Sequence, residues 1–321
     1  MSLTAEKTRT GRGAGDPPPL PVRASARAAR RPWLLLAPAL VVMAALLLWP
    51  MVQVVVLSFQ SYGLRELNRG TTNFNGGDNY SAVLGNPDLW RVVLPNTVGF
   101  AIVTVALTVL VGTLVALLLA KLTPLFRGLL TTAIMVAWAV PAVTGTYVWI
   151  FLFTPPDGPA LQFLDWMGLV DATSANPFAN RYAFYAIAAA NVVHHGFPFV
   201  ALTVLAGLMT VPKELTEAAI MDGASAWRRF RSVTFPMLRP IFAVVTVLST
   251  IWDFKVFTQI YLMPGGNGVF RDVLNLGTWS YTESFAQNKY GLGAAIAVLL
   301  TLLLLVITLG YLRLLFKEEE L

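Results

Sequence analysis

The side chains of this 321-residue chain with most chemical reach are two histidines and a pair of charges set in an apolar run; cysteine is absent. Without cysteine there is no disulfide, no thiolate nucleophile and no cysteine-held metal cluster. His194 and His195 are neighbours, and neighbours on a helix point about 100° apart, so they do not clasp a metal as an i, i+4 pair would. None of the six lysines follows a glycine, which excludes a Gly-Lys-Ser/Thr phosphate loop, and no Gly-x-Ser-x-Gly elbow presents a serine. The sequence therefore predicts no catalytic residue, no metal site and no cofactor of its own. What remains is binding chemistry. Asp253 and Lys255 stand two apart, about 200° around a helix, so they pair poorly with each other and at least one must face a cavity or a partner. Trp252 offers an indole face beside them. A second polar cluster, Asn191 with His194 and His195, runs into Gly196-Phe197-Pro198-Phe199, where glycine and proline could loosen a helix and expose backbone groups. Each histidine alone is more economically read as a structural hydrogen-bonding group, whereas for Asp253 or Lys255 an ion pair with another helix weighs about equally with a place on a path.

The elements that position these groups must lie in a membrane. Apolar residues make up 56% of the chain and charged residues 12%, with a mean hydropathy of +0.65; a soluble domain carries about 25% charged residues. The apolar residues fall in runs near the ~20 needed to cross the hydrocarbon core. Six spans are expected, at about 33–57, 92–120, 128–153, 182–209, 237–262 and 291–316, forming an all-α integral membrane fold. Residues 1–32 are expected to be a disordered, basic cytoplasmic tail, followed by a retained first span too long for a signal peptide. Residues 317–321 form a short tail. With both termini inside, the cytoplasmic segments hold sixteen Lys/Arg and the outer loops six, with Lys255 inside a span. That distribution explains the net charge of +6 by membrane topology, with lipid and not nucleic acid as the partner. Short surface helices are expected within Asn79–Trp90 and Leu161–Val170, and a tight turn at Gly265–Gly268.

The cytoplasmic segment 210–240, TVPKELTEAAIMDGASAWRRFRSVTFPMLRP, carries the strongest pattern. Pro212 opens a helix, Glu214 and Glu217 sit in its early turns, and Gly223 stops it in the left-handed conformation. Ser225 caps a second helix with Trp227, Phe230 and Thr234 on one face. A helix–turn–helix between two spans follows. The stretch resembles the EAA loop of bacterial ABC-importer permeases: Glu217-Ala218-Ala219, three residues, Gly223, nine residues, then Val233-Thr234-Phe235-Pro236. The resemblance implies a coupling segment over 210–236 that docks on an ATPase subunit, with Glu217, Ala218, Ala219, Asp222 and Gly223 at the contact.

The likeness runs from about Trp33 to Phe316 and points to the carbohydrate branch. Met221-Asp222-Gly223-Ala224-Ser225, Phe235-Pro236-Met237-Leu238-Arg239-Pro240, LLLAPAL at 34–40 and Asn96-Thr97 look like permeases of the maltose, trehalose and glycerol-phosphate type, the first of two unlike subunits. One departure is Met263-Pro264-Gly265-Gly266-Asn267, where such proteins often have Thr-x-Gly-Gly-Pro. The resemblance implies a substrate path through spans four and five, at His195, Gly196, Phe199, Trp252, Asp253 and Lys255. It also implies a second, non-identical permease, two ATPase subunits binding ATP and Mg, an extracytoplasmic sugar-binding protein, and a bacterial cytoplasmic membrane. The alternatives are an ABC permease for another solute, such as a phosphodiester or polyamine, or a polytopic enzyme using Asp253, His194 or His195 as acid–base groups.

Overall fold

The computed structural model describes residues 26–264 and 270–319. It divides into two compact units, Met1–Val52 and Gln53–Leu321. Helix α1 covers residues 26–58 with a π turn at Ala44–Leu48. It begins before the expected Trp33, so residues 26–32 are helical where disorder was expected; residues 1–25 lie outside the described residues, as does the turn expected at Gly265–Gly268. The leucines and valines of α1 are almost all exposed, as a lipid-facing helix requires.

The second unit is built around two long helices, α2 (Leu89–Lys121) and α3 (Arg181–Leu208). They approach closely because Gly112 has no side chain: a Cβ there would stand 2.6 Å from Val200 Cβ. Threonines on α2 satisfy their hydroxyls on their own helix, Thr104 donating to Phe100 O at 2.9 Å and Thr113 to Val109 O at 2.6 Å, which lets polar side chains sit at membrane depth. The end of α2 is closed by Arg127, whose guanidinium donates to the carbonyls of Leu119, Ala120 and Leu122 at 3.0–3.1 Å. At the start of α3, Asn180 accepts from the amides of Tyr182 and Ala183.

Among the described residues, five helices are long and apolar enough to cross a membrane, or six if one bent pair counts as a single span. That pair, Pro124–Trp138 and Ala142–Phe153, replaces the expected straight third span and bends by 91°. The reason is local. Pro141 has no amide to donate and disfavours helical geometry at Val140 before it, so the helix ends and restarts in a new direction. The fifth expected span is also interrupted. Phe235–Phe254 ends at Lys255, and a short helix, Thr258–Leu262, resumes after it. The carbonyl of Val256 freed by this break accepts from Asn275 Nδ2 at 2.8 Å. By contrast, the loosening expected at Gly196 and Pro198 does not occur, and α3 is continuous through both. The last helix, Tyr290–Glu319, runs past the expected boundary at 316.

Short helices at Asp78–Leu84 and Pro159–Trp166 occupy the expected loop positions. At this end of the bundle the segment 271–278 is stapled to α2 and α3. Asn96 Nδ2 donates to Asp272 O (2.9 Å) and Leu274 O (2.8 Å), Arg181 donates to Asn96 Oδ1 (2.7 Å), and Leu276 N donates to Thr97 Oγ1 (2.9 Å). Arg271 also pairs with Asp88 just ahead of α2.

Candidate functional site

Two sites are built on α3 and helix Phe235–Phe254, one in the loop that joins them and one between the middle of α3 and the far end of the second helix. At the first, the chain leaves α3 and forms helix Lys213–Met221, with Pro212 just ahead of it as the cap and not inside its first turn. Gly223 has φ +73°, and the hydrogen bonds around it close the helix: Gly223 N donates to Ile220 O and Ala224 N to Ala219 O, both at 2.9 Å. Ser225 Oγ then accepts from Arg228 N, starting a new helix, Ala226–Arg229. This helix is not separate from the membrane segment. A π turn at Phe230–Thr234 carries it directly into Phe235–Phe254. Trp227 stacks on Phe230, Phe230 meets Phe235, and Phe235 meets Phe242, with ring centroids 5.9, 6.1 and 5.2 Å apart. The loop and the membrane segment are thus joined by a continuous helix and a row of rings.

Glu217, Ala218, Asp222 and Gly223 are exposed and Ala219 is half-buried; among the described residues Glu217 and Asp222 have no ion-pair partner. Met221 is 86% exposed and Ile220 and Trp227 project beside it. An apolar, small-residue surface rimmed by two carboxylates is left for another molecule to cover.

The second site is a cavity of about 310 Å³ at membrane depth, lined by Trp138, Val192, His195, Gly196, Trp252, Asp253, Val256 and Gln259. Four of the six residues expected on a substrate path thus come together. Phe199 stands behind the wall, its ring 5.0 Å from Trp252 and 6.3 Å from Trp138. Lys255 is not brought in; it is exposed at the end of its helix and forms no ion pair with Asp253. His194 diverges from His195 as the helix geometry requires, meeting Trp149 and Phe197 instead.

The cavity's polar groups are incompletely satisfied. Asp253 is only 8% exposed, yet its Oδ2 has no hydrogen-bond partner among the described residues. Outside the lining, Asn191 Nδ2 and Thr108 Oγ1 are also buried without partners, although Gln259 donates to Asn191 Oδ1 at 3.4 Å. A buried polar group left unpaired costs about 1–3 kcal/mol, so Asp253 Oδ2 leaves the cavity wall open to a hydrogen bond from something else. Indole and phenyl rings beside it supply faces for an amphipathic ligand. The sequence reading missed Trp138 and Gln259. Trp138 was detectable by its position just before the Pro141 break. Gln259 gave no such signal, because only the interruption at Lys255 turns it inward. Among the described residues no cluster of acids and histidines could hold a metal, and nothing in the cavity pairs a nucleophile with a base.

Comparison with known proteins identifies the family of the chain. Residues 109–318 match the family model described as binding-protein-dependent transport system inner membrane component. The chain is 40% identical over 299 residues to the diacetylchitobiose uptake system permease protein DasB of Streptomyces coelicolor, covering 93% of this chain and 90% of that one. It is 32% identical to the trehalose transport system permease protein SugA of Mycobacterium tuberculosis, covering 84% of each. In fold it is similar to a bacterial ABC transporter involved in the import of the acidic polysaccharide alginate, with a TM-score of 0.74 over 90% of this chain and 96% of that one, at 19% identity. The chain belongs to the family of binding-protein-dependent transport inner membrane components, and is a multi-pass permease subunit of an ABC importer and not an enzyme.

Proposed function

We propose that the substrate is a small oligosaccharide and that the Trp138–Trp252–Asp253 cavity is part of its route. The observation that carries this is the pairing of indole faces with an unpartnered carboxylate oxygen in one cavity: a sugar presents C–H faces to Trp138 and Trp252 and hydroxyls to Asp253 and Gln259. The names of the relatives support the class, since they specify diacetylchitobiose, trehalose, trehalose/maltose and arabinooligosaccharides.

In this reading the chain lies in the bacterial cytoplasmic membrane with both termini in the cytoplasm. It pairs with a second, non-identical permease and with two ATPase subunits that hold ATP and Mg. An extracytoplasmic binding protein delivers the sugar. ATP-driven closure of the ATPases moves the 210–236 loop, and the continuous helix from Ala226 carries that motion to Trp252 and Asp253 at its far end. A related solved complex, the alginate transporter with its alginate-pentasaccharide-bound periplasmic protein, supports the binding-protein partner.

The test is uptake by the reconstituted transporter of labelled diacetylchitobiose, trehalose, maltose and arabino-oligosaccharides, beside a polyamine and a glycerophosphodiester. Saturable uptake of one sugar, dependent on ATP and binding protein, is expected. Uptake of a non-sugar alone would overturn the assignment.

A further inference from the structure

Beyond the cavity, a row of aromatic rings continues away from the coupling loop. Phe257 stacks on Tyr261 at 5.0 Å, and both meet Tyr281, at 5.1 and 5.0 Å. Tyr281 meets Phe285 at 4.8 Å, Phe285 meets Tyr290 at 6.3 Å, and Tyr290 meets Tyr62 at 6.2 Å. Six rings from four separate segments therefore form one connected row. Its inner end adjoins the cavity, since Val256 and Gln259 of the cavity wall flank Phe257. Its other end lies at the extramembrane segments 59–63 and 282–290.

Burial separates these rings from ordinary core packing. Ile260, Met263, Val273, Leu276 and Trp279, on the same elements, are buried and complete the core beneath. Phe257, Tyr261, Tyr281, Tyr290 and Tyr62 are only half-buried, and Phe285 is 62% exposed. Each ring holds its neighbour by stacked or edge contacts worth about 0.5–1.5 kcal/mol, so the row is held in place while part of its surface stays open. Adjacent ring centroids stand 4.8–6.3 Å apart, on the scale of one sugar ring.

We propose that Phe257, Tyr261, Tyr281 and Phe285, extended by Tyr290 and Tyr62, form an aromatic track along which sugar rings pass between the delivering binding protein and the Trp252 cavity. The track rests on the sugar reading above. Stacking is tolerant of sugar identity and weak at each step, so it guides a sugar without trapping it. Selection then falls to the cavity, where hydrogen-bonding groups are fixed.

The discriminating variant is Phe285→Leu, which keeps apolar bulk and removes the ring face at the most exposed position; Phe285→Trp restores a face. Both are assembled with the partner permease, ATPases and binding protein in proteoliposomes, and initial uptake of diacetylchitobiose, or whichever sugar of the panel the wild type carries, is followed across binding-protein concentrations. The track predicts that Phe285→Leu lowers subsaturating uptake about fivefold, the equivalent of about 1 kcal/mol of lost stacking. Complex yield should equal that of the wild type, and Phe285→Trp should recover the rate. Wild-type uptake in Phe285→Leu would overturn the track and leave the sugar reading standing. Loss of complex yield in Phe285→Leu would also overturn it, assigning the row to contact with the second permease. Failure of the wild type to carry any sugar would remove the sugar reading and the track together.

Discussion

The coupling loop and the membrane cavity are built on opposite principles. The loop is contiguous in sequence, its residues 213–229 are mostly exposed, and its shape is fixed by local hydrogen bonds around Gly223 and Ser225. The cavity is assembled from residues as far apart as Trp138, His195 and Gln259, and its polar atoms are buried and partly unpaired. A surface that docks on another protein needs only a stable local shape. A site that receives a solute in the membrane needs several helices to bring polar atoms to one point and to leave them unsatisfied, which only long-range packing achieves. The two regions should therefore fail differently when altered.

The largest effect is expected from Gly223→Pro. Proline fixes φ near −65°, whereas this position has φ +73°, so the turn after Met221 is destroyed. Uptake should fall by about 100-fold, roughly 2.7 kcal/mol of coupling, while the chain still inserts and pairs with the second permease. Glu217→Ala should lose less, about tenfold, because it removes one contact and keeps the turn. Co-purification of the ATPase, measured with uptake, checks both; retained uptake in Gly223→Pro would break the distinction.

The cavity side is sharpened by two substitutions. Trp252→Ala removes a ring that lines the cavity and braces Phe199, so the apparent KM for sugar should rise about fivefold with unchanged complex yield. Lys255→Met should change uptake by less than about twofold, since its ammonium lies outside the cavity and has no ion-pair partner among the described residues. Uptake kinetics on the pair test this, and a Lys255→Met defect as large as that of Trp252→Ala would return the lysine to the path.

The contrast also explains what the sequence could reveal. Gly223, Ser225 and the Glu217-Ala218-Ala219 triplet act through neighbours in the chain, so their spacing alone predicts the helix, the left-handed stop and the new cap. The apolar runs likewise predict the long helices, because lipid imposes the same length on each. The bend at Pro141 and the interruption at Lys255 were hidden in runs of the right length; Pro141 signals a break, but its 91° angle depends on how the two halves pack. At Pro198 the same residue type leaves α3 helical, showing that tertiary context decides whether a proline bends or breaks a helix. Trp138, His195 and Asp253 come to one cavity only through long-range packing of their helices, a relation no local pattern contains.

The smallest effect concerns the ion pair that ties segment 271–278 to the start of α2. Arg271, through its hydrogen bonds and charge, holds the Asp88 carboxyl below its ordinary value of 3.8. A folded pKa below the unfolded one gives stability that is present above the unfolded value and is lost as pH falls through the folded one. Asp88→Asn should therefore lower the Tm of the complex slightly at about pH 6, and the difference should shrink once pH falls below 3.8, vanishing only below the lower folded value. A Tm difference that grows on acidification would contradict the assignment.

The proposed route takes sugar through the Trp252–Asp253 cavity, with the 210–236 loop setting its accessibility. Because the chain has no cysteine, Val256→Cys introduces a single thiol in the cavity wall, and its reaction with a small maleimide can be read on this chain alone. The account predicts that the reaction rate changes when ATP is bound by the partner ATPases, that the transported sugar slows it, and that Gly223→Pro abolishes the ATP-dependent change. A thiol that reacts at one rate with and without sugar, in a transporter that still carries sugar, would place the route elsewhere.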